Sequence, residues 1–185
     1  ILFTRLATKK DLKSSYTAGV LVALASAATM LAILFFSEDP TQIFVNGGLP
    51  SILFIIGFIG LKVGNSYPTS VVLTMSADIT DYETARSGRF VSGLIGTIFS
   101  LTDSIASSLA PIVIGFIVAG VGFTESYPNA SEKLTSALLT GGMIMIGLPM
   151  VLYLIVLVLI RIYPLDRAAM DQIQTDIATK KSKSN

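Results

Sequence analysis

Two charged side chains stand inside otherwise apolar runs: Lys62 in GFIGLKVGNSYPTS and Asp103 in GLIGTIFSLTDSIASSL. A charge at mid-membrane costs about 2.5–3.5 kcal/mol on insertion scales and rarely faces lipid. A lysine and an aspartate placed so are candidates for binding a solute or coupling a cation. Asn65, Ser66 and Thr69 follow Lys62 at spacings of three, four and seven, which puts all four on one helical face. Pro68 removes the backbone donor that a carbonyl one turn earlier would use, and interrupted helices are where membrane carriers place their solutes. Ser104 lies beside Asp103. Lys62, Asn65, Ser66, Thr69, Asp103 and Ser104 are therefore the candidate solute or ion pathway. The competing reading is structural: Lys62 and Asp103 neutralise each other in packing, or Lys62 reaches a carbonyl beside the helix break. The hydroxyls in that reading only back-bond to carbonyls.

The elements that must position these residues are membrane spans. Crossing a hydrocarbon core about 30 Å thick takes roughly 20 residues of helix. Residues 16–36, 49–77, 90–121 and 136–160 are each long enough, and Lys62 and Asp103 are the only charges within them. Hydrophobic residues make up 52% of the chain and charged ones 14%, against about 25% charged in soluble domains. The fold class is all-α, an integral membrane bundle whose solvent is lipid. At about 1.5 Å per residue, Lys62 lies roughly 24 Å from Asp78 and Asp103 roughly 20 Å from Phe90. Both then sit near mid-membrane on consecutive helices, where they can form an ion pair or line one water-filled cavity. Glycines at 60, 64, 93, 96, 141, 142 and 147 read as sites of close helix packing, and the uncharged first span reads as a packing helix.

Composition also excludes. With no cysteine and no histidine, the chain has no disulfide, none of the usual zinc or haem ligands, and no Ser-His or Cys-His pair. It carries no catalytic residue, metal site or cofactor, and an enzyme is not expected. A net charge of +1 offers no basic stripe for nucleic acid. With four spans, eleven of the thirteen basic residues fall on one face, the arrangement of the positive-inside rule. That places both ends in the cytoplasm, together with residues 77–89, ADITDYETARSGR, as the loop joining the second and third spans. Residues 163–185 form a cytoplasmic tail. Leu165, Ala169, Ile173 and Ile177 recur there at helical spacing, so the tail is either a short amphipathic helix or a frayed solvated end. The chain begins at Ile1 with no initiator Met and reads as the C-terminal piece of a longer polypeptide, whose N-terminal helices are among its partners.

The segment ADITDYETARSGR followed by GLIGTIFSLTDSIASSL resembles the cytoplasmic loop and next helix of the glycoside-pentoside-hexuronide cation symporters, a group within the major facilitator superfamily that includes melibiose permease. The matching residues are Ala77, Asp78, Asp81, Tyr82, Arg86, Gly88, Arg89, Gly93, Leu94 and Ile95. RLATKKDL is similar to the basic turn before the family's ninth helix, and YPLDRAAMDQIQTDI to the tail after the twelfth. The resemblance implies helices nine to twelve of a twelve-helix carrier in the plasma membrane, residues 1–162, with two six-helix halves rocking about a central site. It implies symport of a sugar, glycoside or uronide with sodium or a proton. Asp78, Asp81, Tyr82, Arg86 and Arg89 would form a cytoplasmic gate loop, the acids pairing with Arg86, Arg89 or another basic segment. Exposed pairs worth about 0–1 kcal/mol each suit a latch that opens every cycle; a plain topology-setting turn is the alternative. Two departures bear on substrate and ion. Phe90, Val91 and Ser92 stand where family members often carry basics and a glutamate, and Ser104 aligns with a lysine of melibiose permease, a cation that Lys62 would have to replace. A non-transporting scaffold or solute sensor on the same fold is the rival function.

Overall fold

The structure, a computed structural model, describes residues 12–37, 40–89, 91–124, 127, 135–165 and 167–183. Arg5, Lys9, Lys10, Phe90 and the charged residues expected on the outer face (Glu38, Asp39, Glu125, Glu132 and Lys133) lie outside the described residues. Four helices are long and apolar enough to cross a membrane: α1 (Leu12–Phe36), α3 (Leu49–Ser87), α4 (Ser92–Gly120) and α5 (Ser136–Ile162). A 3-10 turn, Pro40–Gln42, and the single-turn helix α2 (Ile43–Asn46) link α1 to α3, and α6 (Arg167–Lys183) follows α5. Among the described residues every regular element is helical.

The tightest contact is a seam of small residues between α1 and α3. A Cβ on Gly64 would lie 2.5 Å from the backbone nitrogen of Ala23 and 2.7 Å from its Cα. One on Gly57 would strike Met30 at 2.8 Å, and one on Gly60 would strike Ser26. Further along, the Pro68 ring occupies the space a side chain on Gly19 would need, 2.8 Å away. Positions rise along α1 as they fall along α3, so the two helices are antiparallel. This seam buries Gly19, Ala23, Ala27 and Met30 on α1 and Gly57, Gly64, Pro68 and Val71 on α3. Backbones that approach so closely gain dispersion contacts that lipid tails do not match.

The first and last spans are tied by a charge. Lys13, at the start of α1, donates from Nζ to the carbonyl oxygens of Arg161 at 3.1 Å and Tyr163 at 2.9 Å. These are orphan carbonyls at the end of α5, where the helix dipole favours a cation. The start of α1 and the end of α5 therefore share one end of the bundle. By contrast α4 has no buried residue and touches α3 and α5 only sparsely. Gly93 and Gly96, expected as packing sites, would carry a Cβ with nothing within 4 Å. An apolar cleft of about 620 Å³ opens beside α4, walled by residues such as Met75 and Ile79 of α3, Ile98 and Phe99 of α4, and Leu159 of α5.

Residues 77–89 are not the loop that their charges suggested. Helix α3 runs through Ala77 to Ser87, 39 residues in all, on the order of 58 Å and about twice the hydrocarbon thickness. The stretch contains no Pro or Gly before Gly88. Thr80, Thr84 and Ser87 each donate to the carbonyl four residues earlier, at 3.0, 2.8 and 2.8 Å. Charge marks where the chain leaves the membrane, but only a residue such as Gly88 ends the helix. With φ 70° it adopts the left-handed cap and its N–H donates to the Thr84 carbonyl at 3.0 Å. Of the two readings of the tail, the structure has the helix: α6 packs against α3. Leu165, just before α6, and Met170 within it are buried.

The seam predicts an asymmetry among glycines. Gly64→Ala sets a methyl against the α1 backbone, which has no flexible side chain to yield, and should destabilise the protein by about 1–3 kcal/mol. Gly142→Ala meets nothing within 4 Å and should be neutral, or stabilising by up to about 1 kcal/mol. Thermal midpoints of the two variants of the full-length protein in detergent check this; equal midpoints would refute the seam.

Candidate functional site

Along the polar face of α3 most hydroxyls are occupied by their own backbone. Ser66 donates to the Lys62 carbonyl at 2.9 Å and Thr69 to the Asn65 carbonyl at 3.0 Å. These bonds brace the turns that flank Pro68, where a ladder bond is missing. Asn65 is different, because its side chain bonds across to another helix. Its Oδ1 accepts a hydrogen bond at 2.5 Å from the hydroxyl of Tyr153 on α5. Asn65, Thr69 and Tyr153, with Tyr16 of α1, line a cavity of about 250 Å³ between α1, α3 and α5. Tyr153 was absent from the sequence candidates, although a signal existed: it is the only polar side chain from Gly141 to Ile160.

Lys62 and Asp103 are described and exposed, and no ion pair joins them. The Lys62 ammonium instead lies 5.3 Å from the centre of the Phe58 ring, one turn away on its own helix, an attraction of about 0.5–1 kcal/mol at an exposed site. Neither charge lines the two cavities already described. The expected pairing fails because α4 stands clear of the seam: Thr102 lines the apolar cleft, whereas its neighbours Asp103 and Ser104 do not and are exposed. Ser104 accepts a bond from the hydroxyl of Ser108 at its carbonyl, 2.7 Å away.

Asp78, Asp81, Tyr82 and Arg86 occupy the last turns of α3, and Arg89 lies just beyond its cap. The carboxylate facing Arg86 is Glu83, at 3.9 Å, with the arginine side chain 70% exposed. Such a pair contributes a few tenths of a kcal/mol. The backbone N–H of Arg89 donates to the Ser87 hydroxyl at 3.3 Å.

The absence of a Lys62–Asp103 bridge has a measurable consequence. Exchanging the charges, Lys62→Asp with Asp103→Lys, should not rescue either single variant, and a double-mutant cycle on thermal stability should give coupling below about 0.5 kcal/mol. Restoration of stability by the exchange would mean that the two side chains do meet.

A family model described as MFS/sugar transport protein matches residues 1–167. Over 127 residues the chain is 27% identical to the Escherichia coli (strain K12) protein named "Putative glycoside/cation symporter YagG", an alignment covering 69% of this chain and 27% of that protein. The chain thus spans about a quarter of that relative's length. No solved structure matches. Four apolar helices, a polar face at membrane depth and a family match over most of its length make this chain a multi-pass membrane protein of the MFS/sugar transport family, a glycoside-pentoside-hexuronide-like member of the major facilitator superfamily, in which the members are transporters and not enzymes.

Proposed function

We propose that the protein is a secondary active transporter that carries a sugar, glycoside or uronide together with sodium or a proton across the plasma membrane. The family match over residues 1–167 carries the reading, and the printed name of the Escherichia coli relative supports the glycoside and cation parts of it. The four long helices act as helices nine to twelve of a larger carrier, whose other helices complete the central site. Both ends of the chain face the cytoplasm, as the basic residues at positions 5–13, 86–89 and 161–183 favour.

In this reading Lys62, Asn65, Ser66 and Thr69 on α3 and Asp103 and Ser104 on α4 border the solute or ion pathway. Two unpaired charges at membrane depth suit groups that await a partner from the solute, the coupling ion or the opposite half. Asp78, Asp81, Tyr82, Arg86 and Arg89 act at the inner gate. The protruding end of α3 carries them beyond the hydrocarbon core, where weak exposed pairs can break and reform in each cycle.

Full-length protein in sealed vesicles should take up a labelled neutral glycoside or glucuronate when a sodium or proton gradient is imposed. Lys62→Leu and Asp103→Leu should each lower uptake at least about tenfold at equal protein. No sugar moving under either gradient would overturn the transport reading in favour of a scaffold or sensor.

A further inference from the structure

The cavity between α1, α3 and α5 has a largely apolar wall that carries four uncharged polar side chains. Its polar side chains are Asn65, Thr69, Tyr16 and Tyr153, and the rest of its wall is apolar or backbone. The hydrogen bonds already made fix what remains on offer. Tyr153 gives its proton to Asn65 Oδ1, so the carboxamide has its acceptor engaged and its two Nδ2–H donors left over. Thr69 gives its proton to the Asn65 carbonyl, so its oxygen, like that of Tyr153, offers lone pairs. Donors from one residue thus stand beside acceptors from two others, within about 250 Å³, roughly eight times the share of liquid volume of one water.

We propose that Tyr153 is a positioning residue for solute recognition: by holding Asn65 Oδ1 it leaves the amide N–H groups for the hydroxyls of a neutral sugar, one ring at a time. The inference rests on the transport reading and names its substrate class. Each sugar hydroxyl both donates and accepts, which matches the mixed donors and acceptors of Asn65, Thr69 and Tyr153, and the apolar remainder of the wall suits the C–H face of a ring. An ionised uronide carboxylate would find no cation in the cavity lining to pair with, whereas charge-assisted bonds are the strong ones for a carboxylate. Lys62 lies one turn from Asn65 but is held over Phe58, outside the cavity.

Uptake of labelled methyl β-D-galactopyranoside, methyl β-D-glucopyranoside and D-glucuronate by the full-length protein in vesicles tests this. Tyr153→Phe keeps the ring and removes the hydroxyl. It should raise KM for the neutral glycosides about three- to tenfold while maximal uptake stays within about twofold. Asn65→Ala should do the same, with the double variant no worse than the more affected single. A merely structural bond would lower the thermal midpoint of Tyr153→Phe and leave KM unchanged, and that result overturns the proposal. So does a wild type that prefers glucuronate, with transport itself intact. A wild type that moves none of the three defeats this inference, and no uptake of any sugar defeats the transport reading as well.

Discussion

The polar chemistry of this bundle hangs on an apolar contact, the approach of the α3 backbone to that of α1 at Gly57, Gly60 and Gly64. In lipid there is little hydrophobic gain from bringing two apolar helices together. The gain comes from atoms that fit, and a glycine at each contact lets whole backbones meet. The rotation of α3 about its axis is thereby fixed. With glycines 57, 60 and 64 turned to α1, Lys62, Asn65, Ser66 and Thr69 fall on the exposed part of the helix, and Asn65 comes within reach of Tyr153. A side chain at Gly64 would disturb the polar face without touching it.

Helix α4 follows the opposite logic. It has the composition of a span, yet buries nothing and lies beside an apolar cleft. Large apolar side chains exposed along α4 and α5, among them Leu101, Phe116, Leu152 and Leu159, would be a liability in water. In a bilayer the solvent is itself apolar, and such surface is compatible with lipid or further helices. Exposure is therefore a poor guide to importance in this chain. What discriminates is polarity at depth, which singles out Asp103 on α4 and Tyr153 on α5.

Much of this was legible from residue types. Long apolar runs give the four helices, and Gly60 and Gly64 announce close packing, because both follow from local composition. The fate of residues 77–89 was not legible. Charge marks a membrane edge but does not end a helix: Ala77, Glu83, Ala85 and Arg86 are good helix formers, Thr80, Thr84 and Ser87 bond back to the backbone, and only Gly88 stops the helix. The Lys62–Asp103 pairing failed for another reason. Depth along a span can be counted from sequence, but whether two side chains meet depends on how far apart the helices stand and how each is rotated, and those are tertiary quantities. The Tyr153–Asn65 bond was missed on the same grounds. It joins residues 88 positions apart, although a lone phenol in the apolar run from Gly141 to Ile160 could have flagged it.

Continuity of α3 joins these observations. One helix carries the seam glycines, the polar face, Pro68 and the charged end, and α6 packs on it as well; a continuous helix does not move its two ends independently. Its weakest backbone point is Pro68, where a ladder hydrogen bond is missing. The bonds from Ser66 and Thr69 to their own helix brace the turns on either side, and the proline ring itself is seated against Gly19. Asn65, three residues before Pro68, is held from α5 by Tyr153. Any change of tilt in the charged end must then either pass through Pro68, straining the Asn65–Tyr153 bond and the Gly19 contact, or carry α1 and α5 with it as a body. In the proposed reading, pathway and gate are coupled through α3, whose 39 residues carry Lys62, Asn65, Ser66 and Thr69 as well as Asp78, Asp81, Tyr82 and Arg86.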